Sequence, residues 1–297
     1  MKASLNPILA IKNFHERDIA IAFFENEHKY VISFEPNIKY TSVTTWVHEH
    51  FEKFDSDNII NKMMLGVKWK EGHIYWGKTV EEIKSLWDLN KDSAARAGSD
   101  LHYEIECFNN DKRFQFEYTN KDLYKIYYDD NRVKHNLKQA EWQYFINFIK
   151  DHPHLTPYRT EWCIYDEDVK IAGSIDMIYK NSDGSFSIYD WKRSKNISKI
   201  NNFNKKSIHP IICHLPDSNF WHYALQLNTY KLILERKYGI KIRDLFLVRL
   251  HPNAEEKKYE LIKVHDLTSE VRELFDEKIF NEKIFNEKYI NLNAKTI

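Results

Sequence analysis

Glycine and cysteine are both scarce in this sequence, which contains 7 glycines and 3 cysteines among 297 residues. Nothing in it resembles the glycine-rich loop that cradles phosphates in nucleotide-binding proteins. Cys107, Cys163 and Cys213 are too few and too scattered for a disulfide framework, which favours a reducing compartment. Three cysteines also cannot supply the four thiolates that hold an iron–sulfur cluster, so we expect no such cluster.

Long apolar runs and an excess of either charge are absent as well. No run approaches the roughly 18 apolar residues that suggest a membrane span, and the first residues carry too much charge for a signal peptide. We therefore expect a soluble, intracellular protein without a membrane partner. Lys+Arg and Asp+Glu are both 44, so any site for a polyanion must be a local patch. With 42% hydrophobic and 15% aromatic residues, the chain can form a substantial core.

The most informative segment surrounds a predicted hairpin turn. Asp183 and Gly184 are typical of a two-residue turn, and β-branched and aromatic residues flank them on both sides. A hairpin there brings Asp176 and Asp190 close together on neighbouring strands. Because side chains alternate along a strand, Lys192 points to the same face as Asp190. Two carboxylates and a lysine on one face favour a hard-cation site with a candidate general base. The alternative is a surface ladder of salt bridges across the hairpin.

Two predicted helices each carry a pair of polar residues four positions apart, and therefore on one face. His102 and Glu106 form the first pair, and Gln226 and Tyr230 form the second. The helices span about residues 98–108 and 218–238.

The order of these motifs resembles that of the RecB-like, lambda-type exonuclease branch of the PD-(D/E)XK nuclease superfamily. The motifs are Gly-x-x-x-His, Gly-x-x-Asp, Asp-x-Lys and Gln-x-x-x-Tyr, and the resemblance covers about residues 96–250. It implies an α/β fold with a mixed central sheet flanked by helices. It also implies metal-dependent hydrolysis of DNA in replication, repair or recombination, by an exonuclease that acts on free ends and leaves 5′-phosphates.

The expected site combines metal ligands with a lysine. Asp176 and Asp190 are the predicted ligands of one or two Mg²⁺ or Mn²⁺ ions, with the backbone carbonyl of Trp191 as a third oxygen. The resemblance implies His102 as a further ligand, and an imidazole suits Mn²⁺ better than Mg²⁺. The alternative for His102 is a hydrogen bond to a core carbonyl. Lys192 is expected to contact the attacking water and the scissile phosphate.

Four further residues are open to two interpretations each. Glu106 either binds metal through water or orients the histidine on its helix. Glu161, on the preceding strand, either supports the metal site or is a charge at the strand edge. Gln226 and Tyr230 match a family motif that approaches the nucleic acid, although on an isolated helix they would be polar surface residues.

A basic segment follows the expected site. Its residues are Lys192, Arg193, Lys195, Lys199, Lys205 and Lys206, with no acidic residue among them. It suits a DNA backbone, single-stranded or with a free end, and the alternative is a solvated basic loop. Arg193 becomes a phosphate contact only if its strand has ended there. Arg96 is placed to reach a phosphate at a helix start.

The neighbouring His209, Cys213, His214 and His222 match no standard zinc spacing, so we interpret them as loop and helix-entry residues.

Four regions are expected along the chain. They are an N-terminal β-hairpin region (1–40), a helical subdomain (41–95), the nuclease core (96–265) and a C-terminal helix or tail (266–297). The core reads in the order helix, three strands, helix and strand, which predicts a mixed sheet between helices. These elements span about residues 134–151, 158–165, 169–180, 185–191, 218–238 and 243–250. The tail repeats KIFNE every five residues, which gives no single apolar stripe, and we expect a marginal helix without a function.

In the helical subdomain, Ser42 or Thr44 can cap one helix, and a second helix is expected over about residues 79–98, where Thr79 with Glu82 has the spacing of a capping box. Four tryptophans lie here, at positions 46, 69, 76 and 87. They either stack on the bases of a single strand or form a core. An arch over the active site would thread a strand from a free end.

Other functions remain open at this point. A structure-specific or RNA-directed endonuclease would use the same fold and chemistry. A nucleic-acid-binding subunit that has lost catalysis is a different class, and the intact set of Asp176, Asp190 and Lys192 argues against it. Nothing in the sequence requires more than a monomer.

Overall fold

The computed structural model describes residues 7–111, 119–123 and 139–294. Before the central sheet, the chain forms helix α1 (Ile8–Lys12), a 3₁₀ helix (Glu16–Ala20), strands β1 (Ile21–Phe24), β2 (Lys29–Ile32) and β3 (Thr41–Ser42), and helices α2 (Val43–His48), α3 (Ser56–Met64) and α4 (Val80–Asn109). The remaining elements are α5 (Ala140–Asp151), β4 (Thr156–Asp166), β5 (Ile171–Lys180), β6 (Phe186–Lys192), a 3₁₀ helix (Pro210–Ile212), α6 (Asn219–Lys237), β7 (Ile242–Arg249), β8 (Glu260–Lys263) and α7 (Thr268–Ala294).

The central sheet is mixed, as predicted. Its strand order is β4-β5-β6-β7-β8, and β3 adds a short parallel pairing beside the start of β5. The neighbours β4/β5, β5/β6 and β7/β8 are antiparallel, whereas β6/β7 is parallel. A parallel pair needs a crossover connection, and α6 provides it between β6 and β7. The four predicted core strands are confirmed, while β3 and β8, of two and four residues, were not predicted.

Helices cover both faces of this sheet, so the protein is of the mixed α/β class. On one face, α2, α6 and α7 pack against Ile175 and Ile188. On the other face, α4 and α5 pack against Met177, Tyr189 and Trp191. Trp191 is 1% exposed, and its ring centroid lies 5.5 Å from those of two phenylalanines on α5. The alternation predicted for β6 is therefore confirmed, with Trp191 in the layer opposite to Asp190.

Helix α4 corrects one prediction and confirms another. The sequence suggested two helices that meet at Gly98, but the structure has a single helix of 30 residues. A glycine costs a helix interior only about 1 kcal/mol, and the residues directly before it, 94–97, are good helix formers. Arg96 therefore lies in mid-helix, and its expected place at a helix start is wrong. At the true start, Thr79 and Glu82 form the predicted capping box.

The predicted N-terminal hairpin and two predicted helices are present, with small differences at the helix starts. The hairpin of β1 and β2 is present, with Ile21 opposite Ile32. Ser42, and not Thr44, caps α2, because its side chain accepts the Thr45 N–H at 3.1 Å. The helix predicted over 134–151 is observed from Ala140, and residues 134–138 lie outside the described ranges.

The C-terminal segment is a helix whose first turns pack firmly. Val271, Leu274 and Phe275 of α7 are buried against α2 and α6, at the three- and four-residue spacings of a packed helix face. These residues precede the KIFNE repeat, which is why the repeat gave no signal for the packing. Of the helices in the described ranges, none is both long enough and apolar enough to cross a membrane.

Candidate active site

Five side chains from four elements meet where helix α4 passes over strands β4, β5 and β6. His102 comes from α4, Glu161 from β4, Asp176 from β5, and Asp190 and Lys192 from β6. The hairpin brings the two aspartates onto neighbouring strands, as the turn predicted. The fold thus brings together residues that are up to 90 positions apart in the sequence.

The tightest part of the site is formed by His102, Glu161 and Asp176. One ligand atom from each lies within 4.8 Å of the others. His102 Nδ1 is 3.5 Å from Asp176 Oδ2 and 3.7 Å from Glu161 Oε1. The sequence left two interpretations for Glu161, support of the metal site or a charge at the strand edge. In the structure its side chain lies in the cluster. Glu106 is not part of this group of three.

Glu161 reaches the cluster through an unusual backbone conformation. Its φ is 43°, in the left-handed region that residues other than glycine seldom adopt. It lies between the strand pairs Thr160↔Met177 and Trp162↔Ile175, and Ser174 Oγ donates a hydrogen bond to Glu161 Oε2 at 3.2 Å. Strained residues of this kind cost about 1–3 kcal/mol and cluster at functional sites.

Asp176 and His102 are both anchored to the backbone of Trp191. The Trp191 N–H donates to Asp176 Oδ2 at 2.9 Å, and His102 Nε2 lies 2.8 Å from the Trp191 carbonyl oxygen. A histidine that donates one ring nitrogen to a carbonyl presents the other nitrogen in a fixed direction. Here that nitrogen, Nδ1, faces the carboxylates. The hydrogen bond to a core carbonyl that the sequence offered as an alternative is thus present together with the cluster.

Asp190 and Lys192 form a buried ion pair beside this cluster. Lys192 Nζ is 2.6 Å from Asp190 Oδ2, and Asp190 is only 2% exposed. The ammonium also lies 4.5 Å from the centre of the Tyr223 ring. Sequence reasoning missed Tyr223, although it lies three positions before Gln226 on one helix face. Asp190 is outside the group of three, so its role as a metal ligand stays a prediction, as does that of the Trp191 carbonyl.

The pKa values of the site show that its neighbouring buried carboxylates destabilise one another's charged forms. Burial raises the pKa of Asp190 to about 6, with a further contribution from the charge of Asp176. Burial likewise raises the pKa of Asp176. For His102, burial acts to lower the pKa, but the charges of Asp176 and Glu161 outweigh it and raise the value to about 9. Buried carboxylates that are destabilised in this way favour a bound cation.

Gln226 and Tyr230 lie on the α6 face that covers the sheet. Gln226 Nε2 donates to the Tyr230 hydroxyl at 3.1 Å. Tyr230 is only 3% exposed, and its ring packs directly on Gly173 of β5, three residues before Asp176. Burial raises the pKa of Tyr230, and the charges of both aspartates act in the same direction. A contact between Tyr230 and nucleic acid stays a prediction, whereas its packing against β5 is observed.

The basic segment after β6 is partly neutralised by acidic partners. Arg193 is bound to Glu141 of α5, with Nε 2.8 Å from the carboxylate oxygen. Lys205 Nζ lies 2.5 Å from Glu52, and Lys199 lies over the ring of a core phenylalanine at 4.6 Å. Lys195 and Lys206 are exposed to solvent. Arg96 is exposed on α4.

The histidines after this segment pair with separate carboxylates rather than with one another. His209 contacts Glu277, His214 contacts Glu270 and His222 contacts Asp217, at 3.0, 3.7 and 2.9 Å respectively. Their interpretation as loop and helix-entry residues agrees with this arrangement.

Comparison with known proteins adds little. No family model and no curated protein matches the chain. One solved structure, described as "Crystal structure of SSO0001", is 15% identical over an alignment that covers 54% of this chain and 64% of that chain, with a TM-score of 0.23. The chain therefore spans less than two thirds of that structure, and a likeness at this TM-score carries no argument about fold or function.

Proposed function

We propose that this protein is a divalent-metal-dependent nuclease with a PD-(D/E)XK core that hydrolyses phosphodiester bonds of DNA, as an exonuclease acting from free ends. The observation that carries the proposal is the convergence of His102, Glu161 and Asp176 next to the buried Asp190–Lys192 pair. The order of the strands, with a helical crossover into a parallel fourth strand, supports the same family.

The residues fit a hard divalent cation on chemical grounds. Glu161, Asp176 and Asp190 offer carboxylate oxygens, and His102 would offer Nδ1 once the cation displaces its proton, a set that suits Mg²⁺ and Mn²⁺. Asp190 Oδ2 is buried and accepts no well-formed hydrogen bond, although the Lys192 ammonium lies beside it. When bound, such an ion compensates the charge that grows on the phosphate and lowers the pKa of a bound water.

Lys192 is the residue that we propose contacts the substrate directly. Burial opposes its charge, but the charges of Asp190 and Asp176 raise the pKa of its ammonium, so it stays protonated. A fixed ammonium next to the carboxylates can orient a water molecule and share the negative charge of the scissile phosphate. Asp190 holds this ammonium in place through the 2.6 Å ion pair.

DNA would be bound by the exposed lysines of the segment after β6. Lys195 and Lys206 are exposed, 3 and 14 residues after Lys192. Arg193 is engaged by Glu141, so we expect less from it. An RNA-directed or structure-specific endonuclease on the same fold remains the second proposal, since the chemistry does not distinguish the two sugars.

The decisive variant is Asp176→Asn, with Asp176→Ala beside it. An asparagine keeps an oxygen that can accept the Trp191 N–H, so it removes charge without removing the strand contact. We expect both variants to lose cleavage of labelled linear DNA in Mg²⁺ or Mn²⁺ by about a thousandfold, the scale of a lost electrostatic element. Glu25→Gln, on an exposed turn residue, is the matched control. Cleavage by Asp176→Asn at the rate of the control would exclude the proposed site.

A second variant separates metal binding from chemistry. Lys192→Ala should retain Mn²⁺ binding, measured by electron paramagnetic resonance, while cleavage falls strongly, because the lysine contacts substrate rather than metal. Removing one partner of a buried ion pair also costs about 3–5 kcal/mol, so the variant must be shown to be folded by circular dichroism. Lys192→Arg keeps the charge if the alanine variant unfolds. Loss of Mn²⁺ binding in a folded variant would contradict this role.

Circular and linear substrates distinguish the two proposals. An exonuclease digests end-labelled linear DNA and leaves covalently closed single-stranded circles intact. Efficient cutting of the circles would favour the endonuclease.

A further inference from the structure

An exposed loop at the far end of α4 combines aromatic and basic side chains. This tip loop, residues 65–78, connects α3 to α4 and contains three lysines and one glutamate. The lysines, Lys68, Lys70 and Lys78, are all exposed, and in the described part of the chain no carboxylate lies within ion-pair distance of them. The loop therefore presents net positive charge without internal neutralisation.

The aromatic rings of the tip loop form a connected group. The Trp69 ring lies 5.0 Å from that of His73 and 5.9 Å from that of Trp76, measured between centroids. On the adjoining helix, the Trp87 indole N–H donates to the Tyr75 hydroxyl at 2.9 Å. Trp76 is 48% exposed, so its ring is half accessible from solvent.

Consecutive hydrogen-bonded turns give this loop a defined shape. Backbone N–H groups of Trp69, His73 and Trp76 donate to carbonyls three residues earlier, at 2.8–2.9 Å. The Tyr75 N–H also donates to the His73 ring at 3.3 Å. A loop that is organised in this way holds its rings ready for a ligand at a small entropic cost.

The loop stands away from the sheet on an exposed stretch of helix. Residues 88–96 of α4 are all exposed, which covers more than two complete turns. A helix that is solvated on every side typically bridges two parts of a molecule. With a rise of about 1.5 Å per residue, Val80 at the loop lies roughly 33 Å along the helix from His102.

We propose that the tip loop is a second binding platform, specific for single-stranded nucleic acid, on which bases stack while the lysines contact phosphates. Aromatic rings interleaved with lysines are what single strands require, because every base has a face that can stack. A protein partner would explain the exposed Leu65, Val67 and Ile74, but it would leave the unpaired lysines without a role. An anionic membrane would use the same rings and lysines, and the vesicle measurement below distinguishes it from a single strand. The choice of ligand rests on the proposed nuclease function.

The separation of the two sites sets a length requirement. At about 3.4 Å per stacked nucleotide, a distance of roughly 33 Å corresponds to about ten nucleotides. A tetranucleotide cannot span it. The platform should therefore increase the affinity for long strands that reach both sites, and it should leave cleavage of very short strands unchanged.

The test measures binding without catalysis, in EDTA, by fluorescence anisotropy of labelled (dT)25. We expect Trp76→Ala to weaken binding by roughly 5- to 150-fold, the effect of one lost stacking contact. The double variant Lys68→Gln/Lys70→Gln should reduce the slope of log K against log salt by about 1.4, at 0.7 per phosphate contact. Phe24→Ala and Lys241→Gln are the exposed controls, on the N-terminal hairpin and at the opposite end of the sheet from Lys192.

A second arm uses cleavage and separates this inference from the proposed function. Under the proposal, Trp76→Ala raises KM for a 25-nucleotide strand several-fold and leaves kcat and the cleavage of a tetranucleotide unchanged. If the wild type binds (dT)25 in EDTA and Trp76→Ala binds it more weakly, the platform stands even when no cleavage is found.

Two results would overturn the platform. One is equal affinity for (dT)25 in the wild type, Trp76→Ala and the lysine variant, whether or not DNA is cleaved. The other is binding to vesicles that contain about a third phosphatidylserine, abolished by Trp76→Ala, with no affinity for (dT)25, because the loop would then serve a membrane surface. Circular dichroism checks that each variant is folded, and Trp76→Phe, which keeps a ring, should recover most of the binding.

Discussion

Replacement of Gly173 by alanine tests how closely α6 packs on the sheet beside the candidate site. A Cβ atom on Gly173 would lie 2.7 Å from Cε1 of Tyr230 and 3.0 Å from Cγ2 of Val43. Ordinary carbon–carbon contacts are about 3.5–4.0 Å. The ring of Tyr230 is 3% exposed and lies within the core, so it cannot swing out of the way without moving its neighbours.

The magnitude follows from two opposing terms. Overpacking a core by one methyl group costs about 1–3 kcal/mol, and we expect the upper end because the clash involves two side chains. Alanine recovers roughly 0.5–1 kcal/mol, because a glycine loses more backbone entropy in a strand. The free energy of unfolding should therefore fall by about 2 kcal/mol, which lowers Tm by about 3 °C in a chain of this length.

The matched control is Gly98→Ala. A Cβ on Gly98 would meet nothing within 4 Å, and the residue lies inside helix α4. Alanine there should stabilise the protein by about 0.8–1 kcal/mol, because it removes the helix penalty of glycine without a clash. Urea denaturation of both variants measures the two shifts, which should have opposite signs.

A double-mutant cycle identifies the clash. Tyr230→Leu removes Cε1 and the hydroxyl, so Gly173→Ala should cost much less in that background than in the wild type. If Gly173→Ala unfolds at the same urea concentration as the wild type, or if the two changes are additive, the reasoning is refuted.

Two further predictions concern the N-terminal segment and its ion pairs. Asp18→Ala should lower the free energy of unfolding, measured in urea, by about 3 kcal/mol. The reason is that the guanidinium of Arg159, which is 5% exposed, loses the carboxylate that lies 2.7 Å from it. A decrease below about 1 kcal/mol would contradict this. The second prediction concerns Glu167. Burial acts to raise the pKa of this carboxyl, but the hydrogen bond from Arg17 outweighs burial and lowers the pKa to about 2. This contribution to stability is present above the unfolded pKa of about 4.3 and is lost as the pH falls towards 2, so Glu167→Gln should reduce the acid dependence of the urea midpoint over that window.

Local patterns were sufficient for the strands that carry the candidate site. Asp183 and Gly184 predicted the turn, and alternation placed Asp190 and Trp191 on opposite faces, because both signals depend only on neighbouring residues. Helix α4 was wrongly divided at Gly98 because its continuity depends on contacts beyond neighbouring residues. Whether a glycine ends a helix depends on what the following residues pack against. Leu101 and Ile105, which follow Gly98, are buried in the core.

The positions of Glu161 and Tyr230 could not be derived from local patterns. A left-handed φ at a glutamate is disfavoured by its own backbone preference, so only the assembled sheet can enforce it. For Tyr230, the helical spacing from Gln226 was visible, but its burial depends on the absence of a side chain at Gly173, which is 57 residues away. Both features arise from contacts between elements that are distant in sequence.

The contact between Asp176 and Trp191 explains why the site forms where β5 and β6 separate. The last backbone pair between these strands is Met177↔Tyr189, and the next N–H on that side of β6 is taken by the Asp176 carboxylate at 2.9 Å. A side chain thus replaces the strand as the hydrogen-bond partner, so the strands can diverge without leaving a buried donor unpaired. The space gained holds His102, which completes the anchoring through the Trp191 carbonyl. The same residues that we propose for chemistry therefore terminate the strand pairing, so the effects of Asp176→Asn and Asp176→Ala on stability should differ even where their effects on cleavage do not.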